Sequence, residues 1–207
     1  MQVVIFGASG TVGRHLVNRA LAEGHQVTAF ARRPEVLAIK HDRLGLHAGD
    51  VMDPGQVAQA VVGQDAVIIA LGAGLKGQVR SRGTAHIIAA MQNHDVKRLL
   101  CLSTLGAGDS RGNLNFFWKR IMFGLLLSRA YADHQVQERL VRQSGLDWTL
   151  VRPGAFTDGP PTGQFKYGFP STERNLALKI SRADVAGFMV GQLAGKAFLR
   201  HAPGLSY

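Results

Sequence analysis

An apolar run, Gln2 to Phe6, breaks directly into Gly7-Ala8-Ser9-Gly10-Thr11-Val12-Gly13. Residues 11–23 then place Val12, Leu16, Val17, Ala20 and Leu21 at the three-four spacing of one helix face. This strand–turn–helix order constrains the fold more than any other feature of the chain. Consecutive apolar residues from Val3 to Phe6 mark a strand buried on both faces, as in a parallel sheet. The GxxGxxG spacing gives each glycine a separate task. Gly7 permits the sharp turn, Gly10 lets backbone approach a pyrophosphate, and Gly13 lets the helix pack on the strand. A helix N-terminus offers unpaired N–H groups and a partial positive charge, which places Ser9, Thr11 and Val12 beside phosphate oxygens.

The alternation continues along the chain. Strand patterns fall at 26–30, 44–48, 66–71, 98–102 and 148–151, and helical patterns at 54–62, 79–93, 114–143 and 181–193, the third broken near Ser128. Pro54 suits a first helical turn, and Ser181 suits a cap. Arg152-Pro153-Gly154 reads as a turn, because proline cannot continue a hydrogen-bonded ladder. The pattern predicts one α/β domain over residues 1–207, a Rossmann-type doubly wound parallel sheet with helices on both faces. Ligands of such sheets bind at the carboxyl ends of the strands.

Those ends carry the cofactor expectation. Folds that bind NAD(H) place Asp or Glu after the second strand, for the ribose 2′-hydroxyl. Here the chain reads Phe30-Ala31-Arg32-Arg33-Pro34, with no acid and two guanidinium groups that match a 2′-phosphate. NADP(H) is therefore expected, with Arg14 in reach of the same phosphate. Asp50 and Val51 meet the adenine, although Asp50 equally suits a cap for the helix at Pro54. Leu71, Gly72 and Ala73 skirt the adenine ribose. Ser103 and Pro153-Gly154 reach the nicotinamide end.

Composition narrows the partners. The formal charge is +10, but Lys and Arg are scattered, with no run longer than two. That favours a basic surface attracting small anions over a nucleic-acid site. The single cysteine, Cys101, forms no internal disulfide, which suits a reducing cytosol. The apolar start is too short for a signal peptide. The apolar stretch at 121–127 falls well short of the roughly 20 residues a spanning helix needs, so no transmembrane segment is expected and a cytoplasmic location is. The histidines lack ligand spacing, and no metal site is expected.

The order GASGTVG, an arginine after the second strand, Gly49-Asp50, Ser103 and SGLDWTLVRPG resembles the atypical short-chain dehydrogenase/reductases. Within them the chain is most similar to the biliverdin-IXβ reductase/flavin reductase and NmrA-like branch, through GQDAVIIALG, IIAAMQNHDVKRLLCLS and PPTGQF. The resemblance spans nearly the whole chain. It implies a nicotinamide cofactor and a serine at the nicotinamide end, matched by Ser103. It also exposes departures. The usual Tyr-x-x-x-Lys pair is missing, since Tyr131 is followed four residues on by Gln135. Registered on Glu138 and SGLDW, His134 takes the lysine position and Ala130 the tyrosine position. Alcohol–ketone interconversion is therefore not expected. Hydride transfer to a flavin, or to a tetrapyrrole bridge, spreads charge over a delocalised system and needs no such tyrosine. Members of this branch can carry a histidine after the sixth strand. Here Pro153-Gly154-Ala155-Phe156 has none, which favours the flavin over the tetrapyrrole.

The resulting expectation is an NADPH-dependent reductase of a flavin or other planar acceptor, a biliverdin-like tetrapyrrole or quinone included, with Ser103 and His134 as its catalytic candidates. The alternative is a non-catalytic, NADP(H)-sensing regulator of the NmrA-like kind. One segment bears on both. Asn115-Phe116-Phe117-Trp118-Lys119-Arg120-Ile121-Met122-Phe123 reads as a core-facing helix, as a substrate lid whose aromatics stack on a planar ring, or as a protein- or membrane-contacting patch.

Overall fold

The computed structural model describes residues 1–72 and 78–207. The expected strands form as β1 (Gln2–Phe6), β2 (Gln26–Ala31), β3 (Leu44–Ala48), β4 (Ala66–Ile69), β5 (Arg98–Leu102) and β6 (Asp147–Pro153). Four short strands follow: β7 (Ala155–Thr157), β8 (Lys166–Tyr167), β9 (Lys179–Ser181) and β10 (Gly204–Ser206). The main sheet runs β3-β2-β1-β4-β5-β6-β10-β8, and β7 pairs separately with β9. Every pairing in the main sheet is parallel except β10 with β8. This is the Rossmann-type doubly wound α/β fold. The order reverses between β1 and β4, so a crevice opens beyond their carboxyl ends.

Among the described residues five α-helices cover the sheet: α1 (Gly13–Ala22), α2 (Pro54–Val61), α3 (Val79–Asn93), α4 (Ser128–Gln143) and α5 (Arg182–Gly191). Alternate residues of β1 divide between the two layers. Val3 and Ile5 pack with Leu16 and Val17 of α1 and Val185 and Met189 of α5. Val4 and Phe6 pack with Val57 of α2, Ile87 and Met91 of α3 and Val141 of α4. Both faces being covered explains why the central strands read as continuous apolar runs. Ser181 caps α5 as expected, its Oγ accepting from the Asp184 amide at 3.0 Å. Among the described residues, no helix is long and apolar enough to cross a membrane.

Several local expectations are corrected. Pro153 does not turn the chain; it ends β6, paired in register with Leu205 of β10. The neighbouring Arg152 and Gly154 amides both donate toward β10. The donor that proline lacks therefore falls on the opposite side, where β5 has already ended. Asp50 does not cap α2. Asp53 does, its Oδ1 accepting from Gly55 and Gln56, while Asp50 Oδ1 accepts from the Met52 amide. The helical stretch expected at 114–143 is broken where expected, at Leu127, but its first piece, Phe117–Leu126, is π-helical and α4 follows it. None of the ten residues in the first piece is fully buried, but Trp118 and Phe123 pack against the buried Leu105, Leu114 and Leu178, so one face of the stretch meets the core.

One cap comes from a distant helix. Gln78 precedes α3 in the left-handed region, with φ of 69°, and supplies no side-chain cap. The carboxylate of Asp133 on α4 accepts instead from the Arg80 and Ser81 amides, at 3.2 and 3.1 Å. This satisfies the open N-terminus of α3 and fixes α4 against it, which sets the position of His134.

Candidate functional site

Two adjoining cavities occupy the crevice. One, of about 530 Å³, is lined by Gly7, Ser9, Gly10, Arg32, Asp50, Val51, Leu71 and Gly72. The other, of about 430 Å³, is lined by Gly10, Thr11, Val12, Leu71, Gly72, Ser103, His134, Pro153 and Gly154. Gly10, Leu71 and Gly72 border both. Residues from the ends of six strands, β1 to β6, are thus brought into one cleft. Gly13 and Arg33 line neither cavity, and Ala73 lies outside the described residues. Arg33 is exposed, its backbone leading into the 3₁₀ turn Pro34–Leu37.

The glycine turn is built as its spacing predicts. Gly7 has φ of 84°, and a side chain there would strike the Ala70 carbonyl. A side chain on Gly13 would strike the Gly7 carbonyl, so Gly13 serves helix–strand packing. At Gly10 a Cβ would come within 3.1 Å of the Gly7 carbonyl oxygen. Helix α1 has no side-chain cap and no acid in its first turn. The Thr11 and Val12 amides donate to no backbone carbonyl among the described residues. An uncapped, acid-free helix end facing a cavity is a fit for a phosphate group. Arg14 bends back, its Nε donating to the Ser9 carbonyl at 3.2 Å, and so steadies the turn.

The far end of the cleft rests on a buried ion pair. Arg152 is 1% exposed and Glu138 3%. Arg152 Nε and Nη2 donate to the two oxygens of Glu138 at 2.8 and 2.6 Å, and Nη1 donates to Asp109 at 2.7 Å. Burial works against the Arg152 charge, but these carboxylates outweigh it and raise its pKa. Ser103 Oγ donates to Glu138 Oε1 at 2.6 Å. With its proton committed there, Ser103 meets a ligand as an acceptor.

His134 lies one turn before Glu138. Its Nδ1 is sealed from solvent and has no hydrogen-bond partner among the described residues. Burial, followed by the charge of Arg80, brings the imidazole down to about 3, so the ring is neutral. Arg80 is 8% exposed and borders the same cavity. Its Nε donates to the Leu71 carbonyl at 3.2 Å, its Nη1 lies 3.6 Å from Asp133, and Nη1 makes no hydrogen bond among the described residues. Sequence reasoning missed Arg80. The available signal was a basic residue in a helix first turn, where the dipole disfavours it. Arg182 was missed too: it borders this cavity, lies 5.4 Å over the Phe156 ring and pairs with Asp158 at 2.7 Å.

Trp118, Phe123 and Leu127 supply an apolar wall. Tyr131 stays outside the lining. Its hydroxyl donates to the Gly106 carbonyl at 2.8 Å and accepts from Gln135 at 3.1 Å, and its ring stacks on Phe123. No metal-holding cluster of His, Cys, Asp and Glu occurs among the described residues.

A sheet of this order, with a glycine turn opening an uncapped helix at its switch point, defines a Rossmann-type dinucleotide-binding protein. The chain belongs to the NAD(P)H-binding family, whose model matches residues 7–196. Its cofactor is accordingly NAD(P)H. It is 30% identical to the UPF0659 protein YMR090W of Saccharomyces cerevisiae, over 93% of this chain and 87% of the relative. The fold is shared with a short-chain dehydrogenase/reductase from Veillonella parvula in complex with NADP. That likeness has a TM-score of 0.85 at 19% identity, covering 100% of this chain and 94% of the other. It is shared also with ChuY, an anaerobilin reductase from Escherichia coli O157:H7. There the TM-score is 0.81 at 24% identity, with 100% and 97% covered.

Proposed function

We propose that this protein is an NADPH-dependent reductase of a planar, conjugated small molecule, with a flavin as first choice and a tetrapyrrole or quinone open to the same geometry. The observation that carries the reading is that the two cavities adjoin, sharing Gly10, Leu71 and Gly72 in their walls. It gives a dinucleotide a path from Arg32 to Ser103, with apolar, aromatic-walled space beyond. Bound NADPH supplies a hydride at its nicotinamide ring.

The chain's own residues divide the remaining work. The uncapped end of α1 takes the pyrophosphate, Arg32 the 2′-phosphate, and Asp50 with Val51 the adenine. Ser103 accepts from the carboxamide, and neutral His134 meets the nicotinamide ribose. Trp118, Phe123 and Phe156 offer flat apolar surface to a ring. The Arg80 and Arg182 guanidinium groups offset negative charge developing on the acceptor. No side chain serves as an essential proton donor, because the Tyr131 hydroxyl points away and His134 is uncharged. A delocalised acceptor tolerates this, and orientation provides most of the catalysis. The likeness to ChuY supports the tetrapyrrole arm, and the absence of a histidine at 153–156 supports the flavin arm.

The test is NADPH oxidation followed by absorbance with FMN, riboflavin, biliverdin and quinones offered in turn. At least one should give saturable turnover lost in Gly10→Val. Turnover unaffected by Gly10→Val would place the reaction elsewhere.

A further inference from the structure

The helix that walls the second cavity has an outer face with no partner among the described residues. Trp118 and Phe123 turn inward. Outward, Phe116 is 74% exposed, Leu125 71%, Leu126 59%, Phe117 50% and Ile121 40%. Of the twelve large apolar side chains exposed among the described residues, five therefore cluster in this one stretch. Scattered apolar residues need no explanation, but a contiguous patch of this kind marks a contact surface. The charge around it is one-sided. Between Asp109 and Asp133 the sequence holds Arg111, Lys119, Arg120 and Arg129 and no acid. Arg120 and Arg129 are exposed, and Lys119 reaches back to the Gly112 carbonyl.

We propose that this face docks on a lipid bilayer surface bearing anionic headgroups. Helices that lie in a membrane interface combine large apolar side chains with flanking Lys and Arg. Here the leucines and phenylalanines would enter the headgroup–acyl boundary while Arg120 and Arg129 meet anionic headgroups. Charge argues against the other occupants. A second copy meeting the same patch about a two-fold axis would bring two faces carrying only positive charge together, with no carboxylate between Asp109 and Asp133 to offset Arg120 and Arg129. Nucleic acid would satisfy the cations but leave Leu125 and Leu126 in water. The proposal is independent of the reductase reading, because none of the five outward apolar residues borders either cavity of the cleft.

The experiment is co-sedimentation of the full chain with vesicles of phosphatidylcholine alone and of phosphatidylcholine mixed with phosphatidylserine. Binding is expected to the mixed vesicles, weakening as salt is raised. The variant Leu125→Ser/Leu126→Ser should lose at least about tenfold in partitioning, since two apolar side chains leave the boundary. Arg120→Glu/Arg129→Glu should lose about as much. Both variants should keep the parent's NADPH titration and circular dichroism, which separates a lost surface from a lost fold. No binding to mixed vesicles, or equal binding to both compositions, would overturn the proposal. So would undiminished binding by the leucine variant. A concentration-dependent dimer abolished by the leucine variant, with no vesicle binding, would give the face to a second copy instead.

Discussion

Glu138→Gln is the substitution whose cost the structure defines best. The carboxylate is 3% exposed and takes three charge-assisted hydrogen bonds, two from Arg152 and one from Ser103. Glutamine keeps one acceptor oxygen, loses the charge and points an amide N–H₂ group at a guanidinium donor. Breaking a buried ion pair on one side costs about 3–5 kcal/mol, because the surviving charge is left without compensation. Asp109 still holds Arg152 Nη1 at 2.7 Å, but its side chain is 78% exposed and replaces only part of what is lost. The expected destabilisation is therefore about 3 kcal/mol, at the lower end of that range. For a chain of this size it corresponds to a fall in Tm of roughly 6–12 °C. Urea denaturation and a thermal melt, both without cofactor, measure it. Asp109→Asn is the control and should cost about 1 kcal/mol or less, as exposed pairs do. A Glu138→Gln loss under about 1 kcal/mol would refute the claim that this pair anchors the cleft.

Arg32→Ala should weaken NADPH about tenfold more than NADH in a fluorescence titration, the low end expected for an exposed charge-assisted bond. Arg33→Ala should do less, since it does not line the cavity, and equal weakening of both cofactors by Arg32→Ala would remove the 2′-phosphate assignment. Tyr131→Phe should leave acceptor reduction within a few-fold of the parent, whereas Ser103→Ala should cost more. A loss of about 10²–10⁴-fold in Tyr131→Phe with NADPH binding intact would restore a general acid. His134 titrates at about 3 in the fold and near 6.5 in an unfolded chain. The unfolded state thus binds more protons between those values. The stability this contributes is complete above pH 6.5 and is lost as pH falls toward 3, by up to about 1.4 kcal/mol per pH unit. His134→Asn should flatten that acid limb in denaturation curves, and an unchanged slope would show the ring is not held neutral.

Much of this molecule was legible in the sequence because its central strands are buried on both faces and its turn carries glycines that nothing else can replace. Gly7 and Gly13 are fixed by contacts with backbone carbonyls, which leave no alternative residue. The edges were not legible. Strand β10 has three residues, Gly204-Leu205-Ser206, too short to show a period, and its pairing with β6 depends on a fold already formed. Pro153 was misjudged because a general ladder rule ignores which side of the strand has a neighbour. Asp50 and Asp53 differ in which amides their carboxylates face, and spacing alone does not separate them. Arg80 and Asp133 are 53 residues apart and meet only because α4 caps α3. Segment 115–123 was open to three readings because its two faces do different work, one lining a cavity and one facing outward.

The most direct test of the account is a single turnover under anaerobic conditions, with the protein in excess over NADPH and an acceptor added to the preformed complex. The account predicts exponential loss of NADPH absorbance, with a rate that saturates in acceptor and is absent in Gly10→Val. NADPH that stays bound and unoxidised with every planar acceptor tried would contradict it and leave a cofactor-binding protein without a reductase activity.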